Sequence, residues 1–452
     1  MRLSFVTVAS TTAAVVLSAP VASAFAPTRA AAPLSRYNGQ QSSLSMSIDF
    51  GEGAERQVQP FDEWATNCGV QRAPGVQLTS QDGLDYYVAA SDNLAEGSPV
   101  LFVPDQVVFS TRAAKEEFGG AVQEAVSHLG RLGGNDAVPQ FYLFVKVLLE
   151  YSKGPDSPWF PWLNSMPRLF YNAVSMTDFC YECLPPLVLG LARGEKVKLD
   201  NFIDALQKVD GLDPSIKANR DLAKWAFNIV FTRSFGPDDN KQIVPMGDMF
   251  NHGTETEVAV NYNDDGSVAM YTTRDVPAGS PLRMSYGDPT NPSYFFARYG
   301  FLDESSPATF CKLMLTPTAQ LKDMGYDYSR MLFYKETGDV SEEVWDVLLY
   351  QELAGNRDVQ QQFYNAHMNG DAELKRQIHQ QHFAETSTAL LKHIDTFLKQ
   401  LDELSAKGVG KNEMEHPRLP LILRHNEFVK ETFLQVRQRI EPMVLEAQGA
   451  YA

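Results

Sequence analysis

Cysteine is scarce: there are 4 in 452 residues, Cys68, Cys180, Cys183 and Cys311. That is too few for a disulfide scaffold in a chain of this length. Cys180 and Cys183 form one C-x-x-C, but neither a second pair nor closely spaced histidines follow to complete a zinc site. Both are read as reduced, buried thiols, and no metal is expected. Positive charge is also short, with 39 Lys and Arg against 56 Asp and Glu and a formal net charge of -17. Phosphate-backbone binding depends on clustered cations, so nucleic acid is excluded as the main partner. The acidity mildly favours a basic or neutral partner. Beyond the first residues no apolar run is long enough to cross a bilayer, so no membrane partner is expected. Regular strand–helix alternation is missing, which argues against a Rossmann pattern. The glycine-rich "GEGAE" follows no apolar strand and so makes no dinucleotide loop. What remains is 44% hydrophobic and 21% charged, an ordinary globular balance, in a chain long enough for two or three domains.

The first 46 residues contain no acid; the first is Asp49. They carry Arg2, Arg29 and Arg36, an apolar stretch from Leu3 to Val16, and the small-x-small pattern Ala22-Ser23-Ala24. An Arg-, Ser- and Ala-containing stretch continues to about Met46. This is the pattern of a signal peptide followed by a transit peptide, and "ASAFAP" resembles the bipartite plastid-targeting signals of algae with complex plastids. The expectation is removal of residues 1–46 and residence in the chloroplast stroma. Simple secretion is the alternative, but it predicts a disulfide-rich chain, which the cysteine count does not support.

Short strands and turns fill Val76 to Pro104: "GLDYYVAA", the turn "AEGSP", and "VLFVP" ended by proline. From about Ala113 to Val230 the pattern is helical. "FYLFVKVLLEY" reads as a buried helix, "SPWFPWLNSMP" as an irregular aromatic connection, and Leu222, Trp225, Ala226, Ile229 and Val230 recur at helical spacing. Gly236-Pro237 breaks that helix. "VAVNY" and "SVAMYTT" then flank Asn263-Asp264-Asp265-Gly266, a hairpin signal. "DVPAGSPLRMSYG" echoes the earlier "DNLAEGSPVLFVP", which is read as recurring turn chemistry and not as a repeat. After Ser306 the chain is expected to be helical to its end, with one stripe of Leu390, Leu391, Ile394, Phe397, Leu398, Leu401 and Leu404 and another of Val429, Phe433, Val436 and Ile440. "SAKGVGKNEMEHPRLP" is the loop between them. His379 and His382, three apart on a polar helix, are assigned to a solvated face.

The chemistry concentrates in "IVPMGDMFNHGTE", where an apolar run ends in Asp248, Asn251, His252 and Gly253. Taken alone, His252 fits a structural histidine, Tyr286 and Tyr299 fit core aromatics, and Arg233 fits a helix C-terminal cation. Taken together, Trp225-Ala226, Thr232-Arg233, "VPMGDMFNH", "SYG" at Ser285–Gly287, Asn291 and "YGF" at Tyr299–Phe301 resemble the SET-domain methyltransferases. The branch concerned includes the plastid Rubisco large-subunit lysine methyltransferase. The resemblance runs from about Gly83 to the C-terminus and includes "SPWFPWLNSMP". It implies an α+β fold: a SET-domain β-fold at 55–305 with a knot-like later segment and a helical insert at about 113–230, followed by an all-helical substrate-binding domain at 306–452. It implies a protein-lysine N-methyltransferase that uses S-adenosylmethionine. The partner would be a protein such as the Rubisco large subunit or another plastid enzyme, and the chain is expected to be a monomer.

The same resemblance distributes the roles. Gly83, Leu84, Asn251 and His252 would contact the cofactor, the last two mostly through backbone. Arg233 would pair with its carboxylate, where a guanidinium fork suits. Tyr299 would point at the transferring methyl, and Tyr286 would line the channel with Thr232 and Phe235. Asp248 would fix the loop or the substrate backbone. The family's usual second glycine near Gly83 is replaced by Asp85; if that position needs φ > 0, Asp tolerates it better than a β-branched residue. Its carboxylate could also alter cofactor affinity. A non-catalytic SET-fold binding module is therefore one alternative. A protein-histidine methyltransferase is another, but that type carries Asn where this chain has Phe235 and Trp where it has Gly247.

Overall fold

The computed structural model describes residues 47–310, 318–326 and 330–449. The proposed leader and Cys311 lie outside them. Strands β1 (Gln71–Arg72), β2 (Val76–Ser80), β3 (Tyr86–Ala90), β4 (Pro99–Val103) and β5 (Phe109–Ser110) follow a first helix, α1 (Val58–Asn67). A helical stretch comes next: α2 (Thr111–Phe118), α3 (Gln123–Arg131), α4 (Val138–Lys153), α5 (Phe160–Ser165), α6 (Asp178–Glu182), α7 (Pro186–Leu206), α8 (Pro214–Ala218) and α9 (Arg220–Arg233). Strand structure then resumes as β6 (Gln242–Ile243), β7 (Asn251–His252), β8 (Val258–Tyr262), β9 (Val268–Thr272) and β10 (Arg283–Met284), and α10 (Pro292–Tyr299) follows.

The largest sheet has the order β1-β4-β9-β8, so a strand from before the helical stretch pairs with one from after it. The β8–β9 hairpin turns at the Asn-Asp-Asp-Gly read from sequence, with Gly266 at φ 85. The two echoing Gly-Ser-Pro turns touch. Leu94 and Val276 exchange both backbone hydrogen bonds, at 2.9 and 2.8 Å. Asn93 Oδ1 accepts from the Ala278 amide and Asp275 Oδ1 from the Glu96 amide, each at 2.9 Å. Equivalent side chains thus cap each other's turn, and this reciprocal contact ties the two strand regions together.

The helix α4 is buried on most sides, as its text predicts, and packs on α9 and α2. Phe141, Phe144, Phe202, Phe227 and Phe231 form an edge-and-face seam between α4, α7 and α9. Aromatic contacts of this kind add to the burial of apolar area. Cys180 and Cys183 are free and buried. "SPWFPWLNSMP" is not wholly irregular: Phe160–Ser165 forms α5, with Pro161 in the first turn, where its missing N–H costs nothing.

Beyond Ser306 the chain is mostly helical: α11 (Ala319–Asp323), α12 (Glu342–Glu352), α13 (Arg357–Met368), α14 (Ala372–Gln381), α15 (Phe383–Gly408) and α16 (Leu419–Gly449). The expectation of helix throughout fails at β11 (Ala308–Phe310) and β12 (Leu332–Tyr334), an antiparallel pair. Phe333 of that pair stacks on Phe433 of α16 at 4.6 Å, so packing stabilises strands too short to announce themselves. The two apolar stripes lie on α15 and α16 and bury Leu390, Ile394, Leu398, Phe433 and Val436 between them. His379 is not on a solvated face. Its Nε2 lies 2.7 Å from Oδ1 of buried Asp346, which also pairs with Lys375 and accepts from Tyr326 Oη. A buried carboxylate needs such partners, and sequence spacing could not show them.

The helix α16 reaches α10. His425 is fully buried, with Nε2 3.3 Å from Ser293 Oγ and its ring 4.6 Å from that of Phe296. Burial holds His425 down to about 4, below the usual value of about 6.5. Between these pH values the unfolded chain binds a proton that the folded chain does not. Stability therefore falls as pH drops through that window, by about 1–3 kcal/mol. Urea unfolding at pH 7 and pH 4.5 checks this: His425→Phe should show a smaller acid loss than wild type, and an equal loss would remove His425 from the account.

Candidate active site

The site is built on the turn after β6. Met246 has φ 73, the only positive φ outside glycine among the described residues. Gly247 follows in close contact: a Cβ there would lie 2.6 Å from Met270 Cε. The strained turn aims Asp248 inward, and no part of its side chain is accessible. Asp248 Oδ2 accepts from Trp162 Nε1 at 3.2 Å and lies 3.3 Å from Arg233 Nη1, which also donates to the Asp248 carbonyl at 2.6 Å. Burial pushes the carboxyl pKa up, and the Arg233 charge opposes that push. Two buried atoms here have no partner, Asp248 Oδ1 and Arg233 Nε.

A second guanidinium joins them, from a position no motif marks. Arg56 donates to the Ser165 carbonyl at 2.8 Å and the Leu84 carbonyl at 2.9 Å, and lies 5.1 Å from the Tyr86 ring centroid. Arg56 Nη2 and Arg233 Nη1 both approach Met249 Sδ, at 4.0 and 3.9 Å. Burial, reinforced by the Arg233 charge, pulls Arg56 down to about 9. Only the distance of Arg56 from every recognisable pattern hid it from a sequence reading.

Arg56 also connects this centre to the Gly83 loop. Gly83 has φ 73, and Asp82 Oδ1 accepts from the Leu84 and Asp85 amides, both at 2.8 Å. Asp85 has no positive φ; the turn takes it at Gly83, where the Asp82 side chain closes the loop. Asp85 is exposed as a residue, but partial desolvation of its carboxyl and the charge of Asp82 raise its pKa against Arg56 and Arg233.

On the other side, β7 pairs in parallel with β10, bringing "NH" beside "SYG". Asn251 is exposed. His252 Nδ1 accepts from the Tyr286 amide at 3.1 Å, and its ring lies 4.5 Å from Phe295 and 5.7 Å from Phe301. Burial lowers its pKa against the pull of Asp303, whose Oδ2 is 3.4 Å away. The side chain therefore fastens two chain segments. Tyr286 Oη donates to the Phe250 carbonyl at 2.6 Å, so its proton is committed. Tyr299 ends α10, its ring 5.0 Å from that of Tyr286, and burial raises its pKa. Gly300 caps the helix at φ 81, where any Cβ would lie 2.4 Å from the Asn172 amide nitrogen. This close approach leaves room for no side chain, which explains the "YG" pair.

Thr232, Arg233, Phe235, Asp248, Tyr286 and Tyr299 all line one cavity of about 880 Å³. The Thr232 hydroxyl donates back to Asn228, so only the rest of its side chain faces the wall. Gly83, Leu84, Asn251 and His252 are not in that wall. Gly83 and Leu84 are in the loop that Asp82 closes, and Asn251 and His252 are in the parallel pair.

No protein-family model and no curated protein matches this chain. Solved structures do. The structure of Rubisco LSMT bound to AdoMet matches with TM-score 0.61 and 18% identity, over 87% of this chain and 93% of that one. The SET domain of LSMT bound to lysine and AdoHcy gives 0.62 and 18%, over 86% and 92%. The SET domain of LSMT bound to MeLysine and AdoHcy gives 0.63 and 18%, over 87% and 93%. The fold is that of the LSMT SET-domain structures. The match covers most of both chains.

Proposed function

We propose that this chain is an S-adenosylmethionine-dependent protein-lysine N-methyltransferase acting on a plastid protein. The observation that carries the reading is the pairing of Tyr286 and Tyr299 in a cavity whose wall also holds the Arg233–Asp248 pair. The LSMT structures hold AdoMet, AdoHcy or sinefungin, with lysine or monomethyllysine in some, on the same fold.

The residues fit such a cofactor. Its methionine end carries one ammonium and one carboxylate, and the carboxylate would pair with the partly accessible guanidinium of Arg233. Arg56 adds a second cation, and the backbone at Gly83, Leu84, Asn251 and His252 offers further polar groups. When bound, S-adenosylmethionine supplies an electrophilic methyl on a sulfonium. The protein aligns and desolvates, and alignment supplies most of the rate. Tyr299 Oη would accept weak C–H···O contacts from the methyl region and orient the acceptor nitrogen. Tyr286, with its proton held by Phe250, shapes the channel.

Phe235 favours lysine over histidine as acceptor. Its backbone is fixed by two 2.9 Å hydrogen bonds with Gln242, and its ring offers no partner to an imidazole nitrogen. An apolar wall suits the alkyl stem of lysine and favours the neutral amine that must attack. The rate should therefore rise from neutral pH towards the amine's pKa. Peptide mapping of a methylated native substrate tests the acceptor: methyl-lysine is expected, and methyl-histidine with unmodified lysines would overturn the reading. For the plastid assignment, the support is the acid-free leader. Ile48 is buried and Glu52 is clamped by buried Arg418 at 2.6 and 3.0 Å, so a cut near Met46 leaves these contacts intact.

A further inference from the structure

The cavity wall also holds a guanidinium from α10. Arg298, immediately before Tyr299 on α10, donates through Nε to the Phe231 carbonyl at 3.3 Å. Its guanidinium lies 4.9 Å from the Phe231 ring, 5.8 Å from that of Tyr294 and 5.9 Å from that of Tyr299. Tyr294, Arg298 and Tyr299 line the same cavity. Among the described residues no carboxylate forms an ion pair with it. The acid acting on it from α7, Glu195, is already paired with Lys198 at 2.8 Å.

We propose that Arg298 is the positive charge that keeps the acceptor amine unprotonated beside Tyr299. The proposal rests on the transferase reading. An ammonium has no lone pair, so the acceptor must first lose one proton to water. The freed pair then forms the N–C bond as the S–C bond breaks, the bonding pair stays on sulfur, and the product is a methylated ammonium. A fixed cation in a desolvated wall raises the energy of an ammonium and leaves a neutral amine untouched. Arginine suits this task because it holds its charge at every working pH and accepts no proton. Three aromatic rings within 6 Å retain it there without a neutralising carboxylate.

The surrounding charges leave that field in place. Across the cavity Asp248 is paired with Arg233, and Asp238 with Lys241 at 2.9 Å. Asp136, Asp239 and Lys115, also in the wall, are exposed, so solvent and salt screen them. Burial raises the pKa of Tyr286 and of Tyr299, so both keep their protons at neutral pH. Behind α10, burial keeps His425 neutral.

The test is the pH profile of the single-turnover rate at saturating cofactor and lysine peptide, for wild type, Arg298→Gln, Arg298→Met and Arg298→Lys. The neutral variants should move the midpoint of the rising limb up by about one pH unit and approach the wild-type rate at high pH, and the lysine variant should restore the midpoint. A uniformly slower rate with an unmoved midpoint would make Arg298 a packing residue only and overturn the proposal, leaving the transferase reading standing. No transfer by wild type to any lysine would overturn both. If the neutral variants do not fold, titration of a ¹³C-methyllysine peptide bound to wild type decides: its amine should titrate below the free peptide's, and a value at or above it refutes the proposal.

Discussion

Tyr299→Phe should slow methyl transfer at least about a hundredfold while cofactor affinity stays within about a factor of two. The hydroxyl sits at the end of a helix that Gly300 terminates against the Asn172 backbone, so it has little freedom to move. Removing it leaves the ring packing on Tyr286 and Phe301 in place and takes away only the oxygen. Its effect belongs to the transition state, where a C–H···O acceptor matters, and not to ground-state binding. Single-turnover kinetics and calorimetry on the same protein separate the two quantities. A wild-type rate in the mutant would remove Tyr299 from the catalytic role.

Arg233→Ala should do two things at once. Loss of a charge-assisted partner for the cofactor carboxylate should weaken cofactor binding about tenfold to hundredfold. It also strips a fully buried carboxylate of its cation, which costs on the order of 3–5 kcal/mol of stability. A second change separates the effects. Arg233→Ala combined with Asp248→Asn removes the uncompensated charge, so denaturant stability should largely return while cofactor affinity stays low. Recovery of both would mean that Arg233 serves only the fold, and recovery of neither would mean that Asp248 is not its essential partner.

The sequence showed most of what is local. The hairpin at Asn263–Gly266, the buried α4 and the stripes of α15 and α16 follow from period and turn chemistry, which depend on neighbours in the chain. This part of the cavity wall was legible for a different reason: Thr232, Phe235, Asp248, Tyr286 and Tyr299 stand in short, jointly specific motifs. Contacts between distant segments were not legible. Arg56 reaches Leu84 and Met249 from a segment without pattern. Arg298 looks like a helix-end cation until Phe231 and Tyr294 are seen beneath it. Two echoing Gly-Ser-Pro turns could be recognised as alike, but that each caps the other depends on how the sheet closes. His379 read as solvated because Asp346, its partner, is on another helix. Asp85 drew attention as a substituted glycine, yet the turn was set by the Asp82 carboxylate.

The central claim is turnover, and the most direct measurement uses methyl-labelled S-adenosylmethionine with wild-type protein and a plastid protein extract. Saturable cofactor binding should be accompanied by label on the ε-nitrogen of a lysine in a discrete acceptor protein. Saturable binding with no label on any protein would contradict the account and make the chain a non-catalytic binding module on a SET fold.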